Sequence, residues 1–220
     1  HLCRTFPSWK VTEKSSNLNF DPVVQHSLGC QIVAMNFHSA DEPLLVNDGR
    51  FRANGSSGYV LKPPHLINDK SPIDREQQWK ISVLCGSCLP RAESYMSKKN
   101  ISVSSSSILL NPFVRVTLFE GNPNSGPVLV HSTAPAKGNG LNPVWDSEKD
   151  TFDMFVVKPS IAIVLFSVYD ANTKDFIAGA ALPLSCCREG YRSIALFDSM
   201  HMRCGPYAFA SLFVKVQKLS

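Results

Sequence analysis

Long apolar runs are missing from this sequence, and so is any concentration of charge of one sign. No stretch approaches the roughly eighteen apolar residues that a membrane-spanning helix requires, so the sequence predicts no such helix. The 22 Lys and Arg residues are scattered without interleaved aromatic residues, which argues against nucleic acid as a partner. The formal net charge of +4 is mildly basic and is compatible with an anionic membrane surface.

The cysteine residues do not have the spacing of a disulfide framework. Seven Cys residues stand at irregular spacings in 220 residues, unlike the dense pattern of a small secreted disulfide scaffold. Cys85 and Cys88 have the spacing of half a zinc site, but no second pair or His partner follows them, so a metal or redox role is disfavoured. The chain begins at His1 with neither an initiator Met nor a signal-peptide pattern. We therefore expect an intracellular, reducing compartment and a piece of a longer polypeptide.

The chain divides into two pieces of different texture. Hydrophobic residues make up 44% of it, enough for a sizeable core. A polar, proline-rich stretch without periodicity separates the pieces and is typical of a linker. The sequence predicts a first domain over residues 1–66, a linker over residues 67–76 and a second domain over residues 77–220.

The first piece carries the pattern of a parallel βα unit. Residues 31–37 form a short apolar run rich in Val and Ile, which predicts a buried strand. Asp41 can cap a following helix and Pro43 is tolerated in its first turn, so we expect a helix ending near Phe51. One such unit cannot bury both faces of its strand by itself.

The second piece is predicted to be entirely β. Short alternating apolar segments are separated by turn residues, and eight strands in about 140 residues indicate a β-sandwich. The predicted strands are residues 79–85, 113–120, 128–133, 151–156, 161–169, 176–182, 193–196 and 209–217. A serine-rich segment at about residues 91–110 interrupts the pattern and is interpreted as a flexible loop.

Several motifs in the two pieces resemble those of one family. Residues 29–37 (Gly-Cys-Gln-Ile-Val-Ala-Met-Asn-Phe) and 54–63 (Asn-Gly-Ser-Ser-Gly-Tyr-Val-Leu-Lys-Pro) resemble the closing segment of the catalytic barrel of phosphoinositide-specific phospholipase C. Residues 139–145 (Asn-Gly-Leu-Asn-Pro-Val-Trp), 169–177 and 212–216 resemble a C2 domain. The resemblance implies a mainly β chain, in which the last βα unit of a TIM-type (β/α)8 barrel precedes an eight-stranded antiparallel C2 sandwich.

The resemblance also implies an activity and part of a substrate pocket. The family hydrolyses phosphatidylinositol 4,5-bisphosphate to diacylglycerol and inositol trisphosphate at the cytosolic membrane face, with Ca²⁺ in the active site. Its Ser-Arg-Ile-Tyr-Pro motif matches residues 3–7, so Arg4 is expected to pair with a ring phosphate. Phe6 stands at the Tyr position and keeps the stacking ring without the hydroxyl. Residues 15–17 match a further family segment, interpreted as a structural loop.

No catalytic residue is predicted in this chain. The family's catalytic His pair and carboxylates belong to an earlier part of the barrel, and none of the six His residues here matches that motif. The remaining catalytic half of the same polypeptide is therefore an expected partner, together with phosphoinositide lipids and the membrane surface. The alternative is a catalytically inactive relative that acts as a lipid- or protein-binding C2 module, and the upstream reading frame would distinguish the two.

A second calcium site is expected by resemblance at one end of the C2 sandwich. The matching positions are Asn111, Asp170, Asn172 and Asp175, so two family carboxylates are replaced by amides. An amide keeps an oxygen ligand but removes a charge, and carboxylates supply most of the affinity for calcium. The sequence predicts weak or absent calcium binding at these loops. The competing interpretation is that the two Asp residues only stabilise a turn.

Overall fold

The computed structural model describes residues 2–6, 18–68, 71–72, 74–91, 109–122 and 129–219. The serine run at residues 102–107 and the loop at residues 15–17 lie outside the described residues. The first part of the chain forms two short strands and three helices. In chain order these are β1 (Arg4–Thr5), α1 (Pro22–Ser27), β2 (Ile32–Val33), α2 (Glu42–Phe51) and α3 (Pro64–Ile67).

We call the described residues 2–6 and 18–68 the barrel end. They contain two βα units, β1 with α1 and β2 with α2, where the sequence predicts one. β1 and β2 pair in parallel, with Arg4 opposite Ile32 and Thr5 opposite Val33. The prediction of a buried strand over residues 31–37 is wrong over most of its length, because β2 has two residues and Ile32 is 43% exposed. A parallel strand is buried when strands flank it and helices cover both faces. Among the described residues, β2 has only β1 as a neighbour.

Helix α2 begins and ends where the sequence predicts. The Asp41 carboxylate accepts a hydrogen bond of 3.1 Å from the backbone N–H of Leu44, which satisfies an amide without an intrahelical partner. Pro43 lies in the first turn, where a missing N–H costs nothing. Three consecutive residues on this helix, Leu44, Leu45 and Val46, are buried, and the helix therefore packs against the rest of the molecule.

The second part of the chain is an antiparallel sandwich of eight strands in its described portion, as predicted. One sheet has the order β6-β3-β10-β9 and the other β5-β4-β7-β8. The strands are β3 (Gln77–Ser87), β4 (Pro112–Phe119), β5 (Leu129–Ser132), β6 (Thr151–Val156), β7 (Ile163–Asp170), β8 (Phe176–Pro183), β9 (Gly190–Ala195) and β10 (Ser211–Lys218).

Strand β9 begins three residues before the predicted start at residue 193. Its first residue, Gly190, pairs with Val216 of β10, and the ladder continues from there to Ala195. β9 is an edge strand whose residues 191–193 are all exposed, so its sequence lacks the apolar alternation that would reveal a strand.

Trp145 shows why the Asn-Pro-x-Trp turn is a specific signal. The side chain of Asn139 closes the turn by donating to the carbonyl of Asn142 at 2.7 Å and accepting from its N–H at 3.1 Å. The turn delivers the Trp145 ring into the sandwich core, where it is 6% exposed. Its indole N–H donates to the carbonyl of Ala134 at 2.9 Å, so the buried polar atom is satisfied.

A second apolar core joins the barrel end to the sandwich. Val23 of α1 and Val46 of α2 are fully buried against residues of the sheet that contains β7. The cluster comprises Val23, Leu45, Val46, Phe119, Ile161, Ile163, Leu165 and Ala181. Gly49 lets α2 approach β8 closely, since a Cβ there would lie 2.5 Å from the Cβ of Ala181. The two parts therefore share buried surface.

Residues 67–76 contribute no strand in their described part, although they make a specific contact. The carboxylate of Asp74 accepts a hydrogen bond of 2.9 Å from the backbone N–H of Ser160. The boundaries at residues 66 and 77 stay a prediction. No helix within the described ranges is long and apolar enough to cross a membrane.

Candidate functional site

Arg4 and Phe6 lie together at the exposed end of the barrel sheet. Residues two apart on a strand project to the same side, and here the Arg4 guanidinium carbon is 4.4 Å from the centroid of the Phe6 ring. Phe6 is 60% exposed and Arg4 is also exposed. Arg4 forms no ion pair with any carboxylate in the described ranges, so its charge faces solvent.

The strand pair behind Arg4 is fixed by Cys3 and its neighbours. The N–H of Cys3 donates to the side-chain oxygen of Gln31 at 2.7 Å, and its carbonyl accepts from the N–H of Gln31 at 3.1 Å. The sulfur atoms of Cys3 and Cys30 are 3.4 Å apart as free thiols. Burial raises the pKa of Cys30, and the neighbouring thiol adds to the shift. These contacts hold β1 on β2 and so position Arg4.

The barrel end also presents apolar side chains that the sandwich does not cover. Leu61, for example, is 86% exposed although it belongs to the turn motif at residues 54–63. The others are Leu2, Leu18, Leu28, Ile32, Phe37 and Tyr59. Exposed apolar surface on this scale is typical of an interaction face.

The C2 loop residues are brought together around Asp170, which is 3% exposed at the end of β7. One carboxylate oxygen of Asp170 accepts hydrogen bonds of 3.2 Å from the backbone N–H groups of both Asn111 and Asn172. The Asp170 N–H donates to the carbonyl of Asp175 at 3.0 Å. The Asp170 carboxylate therefore stabilises the turn by accepting hydrogen bonds from its backbone amides.

Asn111 and Lys174 complete the hydrogen-bonded loop. The side-chain oxygen of Asn111 accepts a hydrogen bond of 2.6 Å from the N–H of Gly138 and thereby ties two loops together. Lys174 adopts a left-handed conformation with a φ of 64°. Its ammonium lies 5.7 Å from the centroid of the Phe113 ring, so a cation stands beside the predicted calcium loop.

Two of these four residues, Asn111 and Asp170, already use side-chain oxygens within the loops. Calcium needs six to eight oxygen ligands, largely carboxylate. Both residues accept hydrogen bonds from backbone N–H groups through these oxygens, and Asp170 is buried. Within the described ranges, no group of three or more His, Cys, Asp or Glu side chains could hold a metal ion.

A polar cluster at the junction of the two parts was not predicted. The Tyr169 hydroxyl donates a hydrogen bond to Oε1 of Glu42, which lies in the first turn of α2. Arg115 places Nη1 3.8 Å from the same oxygen and its guanidinium carbon 4.7 Å from the centroid of the Tyr169 ring. Burial raises the pKa of Tyr169, and the bond to Glu42 adds to the shift. Because Tyr169 and Glu42 are 127 residues apart in the chain, no local pattern could reveal the contact.

Comparison with known protein families identifies the domain family of the sandwich. Residues 77–198 match the C2 domain family, which covers more than half of the chain. Residues 1–65 match the family described as phosphatidylinositol-specific phospholipase C, Y domain. The chain belongs to the C2 domain family, and in front of its C2 domain it carries a segment that matches the Y domain of phosphatidylinositol-specific phospholipase C.

The relatives resemble nearly the whole chain. The human 1-phosphatidylinositol 4,5-bisphosphate phosphodiesterase delta-1 is 34% identical over 98% of this chain, which corresponds to 27% of that protein. The Caenorhabditis elegans 1-phosphatidylinositol 4,5-bisphosphate phosphodiesterase gamma plc-3 is 30% identical over 100% of this chain and 16% of its own length. The chain thus spans about a quarter or less of these relatives.

Solved structures agree on the fold. The crystal structure of L. pealei PLC21 superposes with a TM-score of 0.74 at 26% identity, over 93% of this chain and 25% of the other. S. officinalis PLC21 gives a TM-score of 0.72 over the same shares at 24% identity, which shows a common fold. The superposition includes both the barrel end and the sandwich, since it covers 93% of the chain.

Proposed function

We propose that this chain is part of a phosphoinositide phospholipase C whose intact polypeptide hydrolyses phosphatidylinositol 4,5-bisphosphate to diacylglycerol and inositol 1,4,5-trisphosphate in intracellular signalling. One observation carries the proposal. A single alignment covers 98% of the chain, from barrel end to C2 domain, with a relative named as a phosphatidylinositol 4,5-bisphosphate phosphodiesterase. The chain would supply part of the substrate pocket and a membrane-associating domain.

Arg4 and Phe6 are the proposed substrate-binding residues. The guanidinium is planar, always charged and suited to bidentate phosphate recognition. Arg4 meets this requirement because it is exposed and has no carboxylate partner within the described ranges. Phe6 packs against the guanidinium and limits its orientations, while its exposed ring offers a stacking surface for the inositol. In this proposal Arg4 selects for a ring phosphate.

The chemical step is proposed to depend on the remaining catalytic half of the same polypeptide. Attack by the inositol 2-hydroxyl on the phosphodiester needs an acid–base pair and a group that stabilises the developing charge. No catalytic residue is assigned to this chain, and calcium at the active site would be held by carboxylates of that other half. The exposed apolar side chains of the barrel end, among them Leu2, Phe37 and Leu61, support such an intramolecular partner.

The C2 domain is proposed to hold the enzyme at the cytosolic membrane face, chiefly without a calcium bridge. Asp170 and Asp175 would be the main charges at the loop, and Asp170 is committed to backbone amides. We therefore expect calcium dissociation constants of about 10⁻⁴ M or weaker. No step of the proposed function runs through calcium at this loop. Basic and apolar surface residues would provide most of the attachment.

Calorimetry on the C2 loops tests this expectation. The double variant Asn111→Asp with Asn172→Asp restores two carboxylates and should tighten calcium binding, whereas Asn68→Asp, far from the loops in sequence, should leave it unchanged. Vesicles of anionic lipid should bind the double variant in a calcium-dependent way. Micromolar calcium binding by the unaltered chain would contradict the proposal, since other oxygens would then be completing the site.

The alternative proposal is an inactive phospholipase C-like binding module. The replacement of Tyr by Phe at position 6 and the two amides at positions 111 and 172 are the observations that favour it. The named relatives are phosphodiesterases, which favours the enzyme. A His pair with its carboxylates in the upstream reading frame would support hydrolysis, and a degenerate pair would support the binding module.

A lipid hydrolysis assay tests the enzyme directly. The intact polypeptide encoded by the full reading frame should release inositol trisphosphate and leave diacylglycerol when given phosphatidylinositol bisphosphate in mixed micelles. The 220-residue chain alone should give only the blank rate. An intact polypeptide that binds the micelles without turnover would establish the alternative, and turnover by the isolated chain would overturn the assignment of catalysis to the other half.

A further inference from the structure

A cavity opens between the two edge strands of the C2 sandwich, away from Arg4 and from the calcium loop. β8 is the last strand of one sheet and β9 the last strand of the other, and no strand in the described ranges closes the gap between them. The cavity has a volume of about 230 Å³. Two hydrogen bonds of 2.9 Å between Gly179 and Phe197 join β8 to the segment that follows β9, beside the cavity.

The interior of the cavity is apolar and reaches the sandwich core. Val214 and Phe166 at its base are 0% and 1% exposed, so a ligand in the cavity would touch core side chains. The apolar lining is formed mainly by Phe166, Ala180, Leu182, Ile194, Val214 and Val216. A chain of methylene groups is the ligand chemistry that such a lining favours.

The described residues that line the cavity also include three arginines and no carboxylate. Arg52 follows α2 of the barrel end, donates to Asp48 at 2.6 Å and stacks 3.7 Å from the centroid of the Phe197 ring. Arg192 donates to the backbone carbonyls of Tyr191 and Glu189, which leaves its charge uncompensated. Arg188 is exposed and makes no hydrogen bond or ion pair within the described ranges. Two guanidinium charges are therefore available to an anion.

We propose that this cavity binds a single-chain fatty carboxylate of medium length. A cavity of about 230 Å³ with a mainly apolar lining suits one alkyl chain of medium length. The alkyl chain lies between β8 and β9, and the carboxylate meets Arg188 and Arg192. Arg52 belongs to the barrel end and lines the same cavity, so a bound ligand would contact both parts of the molecule.

Calorimetric titration of the whole chain with decanoate, below the concentration at which it forms micelles, tests the proposal. One saturable site is expected, with binding at least tenfold weaker for decanol and for decyltrimethylammonium, because these lack the negative charge. Arg188→Ala and Arg192→Ala should each weaken decanoate binding about tenfold. Arg91→Ala, an exposed arginine that does not line the cavity, is the matched control and should leave it unchanged.

Two further variants locate the alkyl chain. Ala180→Leu fills the cavity and should abolish binding, and Ser193→Trp covers its mouth from an exposed edge-strand position if the first variant does not fold. Leu61→Ser alters the exposed barrel end and should leave binding intact. Equal affinity for decanol and decanoate, or loss with Leu61→Ser rather than Ala180→Leu, would overturn the proposal. A chain that does not bind decanoate, but binds phosphatidylserine vesicles unless Ala180→Leu fills the cavity, would overturn the proposal in favour of a membrane lipid.

Discussion

The barrel end and the C2 sandwich differ in how completely their strands are enclosed. β3 of the sandwich has eleven residues and pairs on both edges, with β10 and β6. β1 and β2 of the barrel end have two residues each, and Ile32 of β2 is 43% exposed. An apolar run rich in β-branched residues therefore extends as a strand only where neighbouring strands and covering elements are available.

The barrel end is buried where it packs against the sandwich. Val23, Leu45 and Val46 are buried in the core shared with β7, and Gly49 approaches Ala181. The opposite side carries Arg4, Phe6 and a set of exposed apolar residues. The buried residues thus attach the barrel end to the sandwich, and the exposed residues are the ones that the proposed function assigns to substrate and to the catalytic half.

The largest predicted effect is the loss of stability when a large side chain is truncated in the sandwich core rather than on the barrel end. Phe166 is 1% exposed in the sandwich core and Phe37 is 66% exposed on the barrel end. Phe166→Ala should lower the free energy of unfolding by about 3–5 kcal/mol, because it removes a large buried side chain and enlarges the empty space beside it. Phe37→Ala should change it by less than about 0.5 kcal/mol. Urea unfolding monitored by circular dichroism measures both changes. Equal losses of stability would contradict the claim that the sandwich is more completely enclosed than the barrel end.

The next effect is a pH dependence that belongs to the barrel end. Burial lowers the pKa of His26 from 6.5 to about 4, and the nearby charge of Arg50 adds to the shift, opposed by hydrogen bonding of the ring to the Asn47 side chain and the Cys30 backbone. The unfolded chain then binds the proton more readily, so the stability conferred by neutral His26 is present above pH 6.5 and is lost as the pH falls towards 4. The loss should be on the order of 3 kcal/mol.

Unfolding series at several pH values check this prediction. His26→Gln removes the titrating group and should flatten the slope between pH 6.5 and pH 4. His131→Gln, which alters a sandwich histidine whose ring stacks on Phe152, serves as the control and should retain the slope. A slope that is unchanged in His26→Gln would mean that other groups carry the acid sensitivity.

A smaller effect concerns the polar contact between the two parts. Tyr169→Phe removes the hydroxyl that donates to the Glu42 carboxylate and should cost about 1.5–3 kcal/mol, as expected for a hydrogen bond to a charged group. Glu42→Gln should cost a similar amount, and the double variant should cost less than the sum, because both changes remove one interaction. Additive losses in this double-mutant cycle would contradict a direct coupling of α2 to β7.

Local signals in the sequence predict much of the fold. Most of the sandwich strands, the Asp41 cap and the end of α2 at Phe51 follow from short-range patterns, whereas the start of the edge strand β9 does not. The pairing of β1 with β2 could not be predicted from pattern, since a two-residue strand has no periodicity. The bond between Tyr169 and Glu42 and the shared core link residues more than a hundred positions apart, which no local pattern encodes.

The sequence names the candidate site residues, but it does not reveal how their side chains are arranged. Arg4 and Phe6 were named from a motif, and the structure brings their side chains into contact at the exposed end of β1. Asp170 was also named from a motif, but its carboxylate holds backbone amides, which depends on how the loops from two strands meet. The arginines beside the cavity come from the residue after α2, from β9 and from the segment before β9, and only the folded chain assembles them.

The most direct test of the account is the selectivity of the intact polypeptide when Arg4 is changed. Arg4→Ala should reduce turnover of phosphatidylinositol bisphosphate by a factor equivalent to about 1.5–3 kcal/mol, and turnover of unphosphorylated phosphatidylinositol much less, because only the former offers a ring phosphate. Arg4→Lys should recover part of the difference, since it keeps the charge without the planar fork. An equal loss on both lipids would contradict the assignment of Arg4 to phosphate recognition.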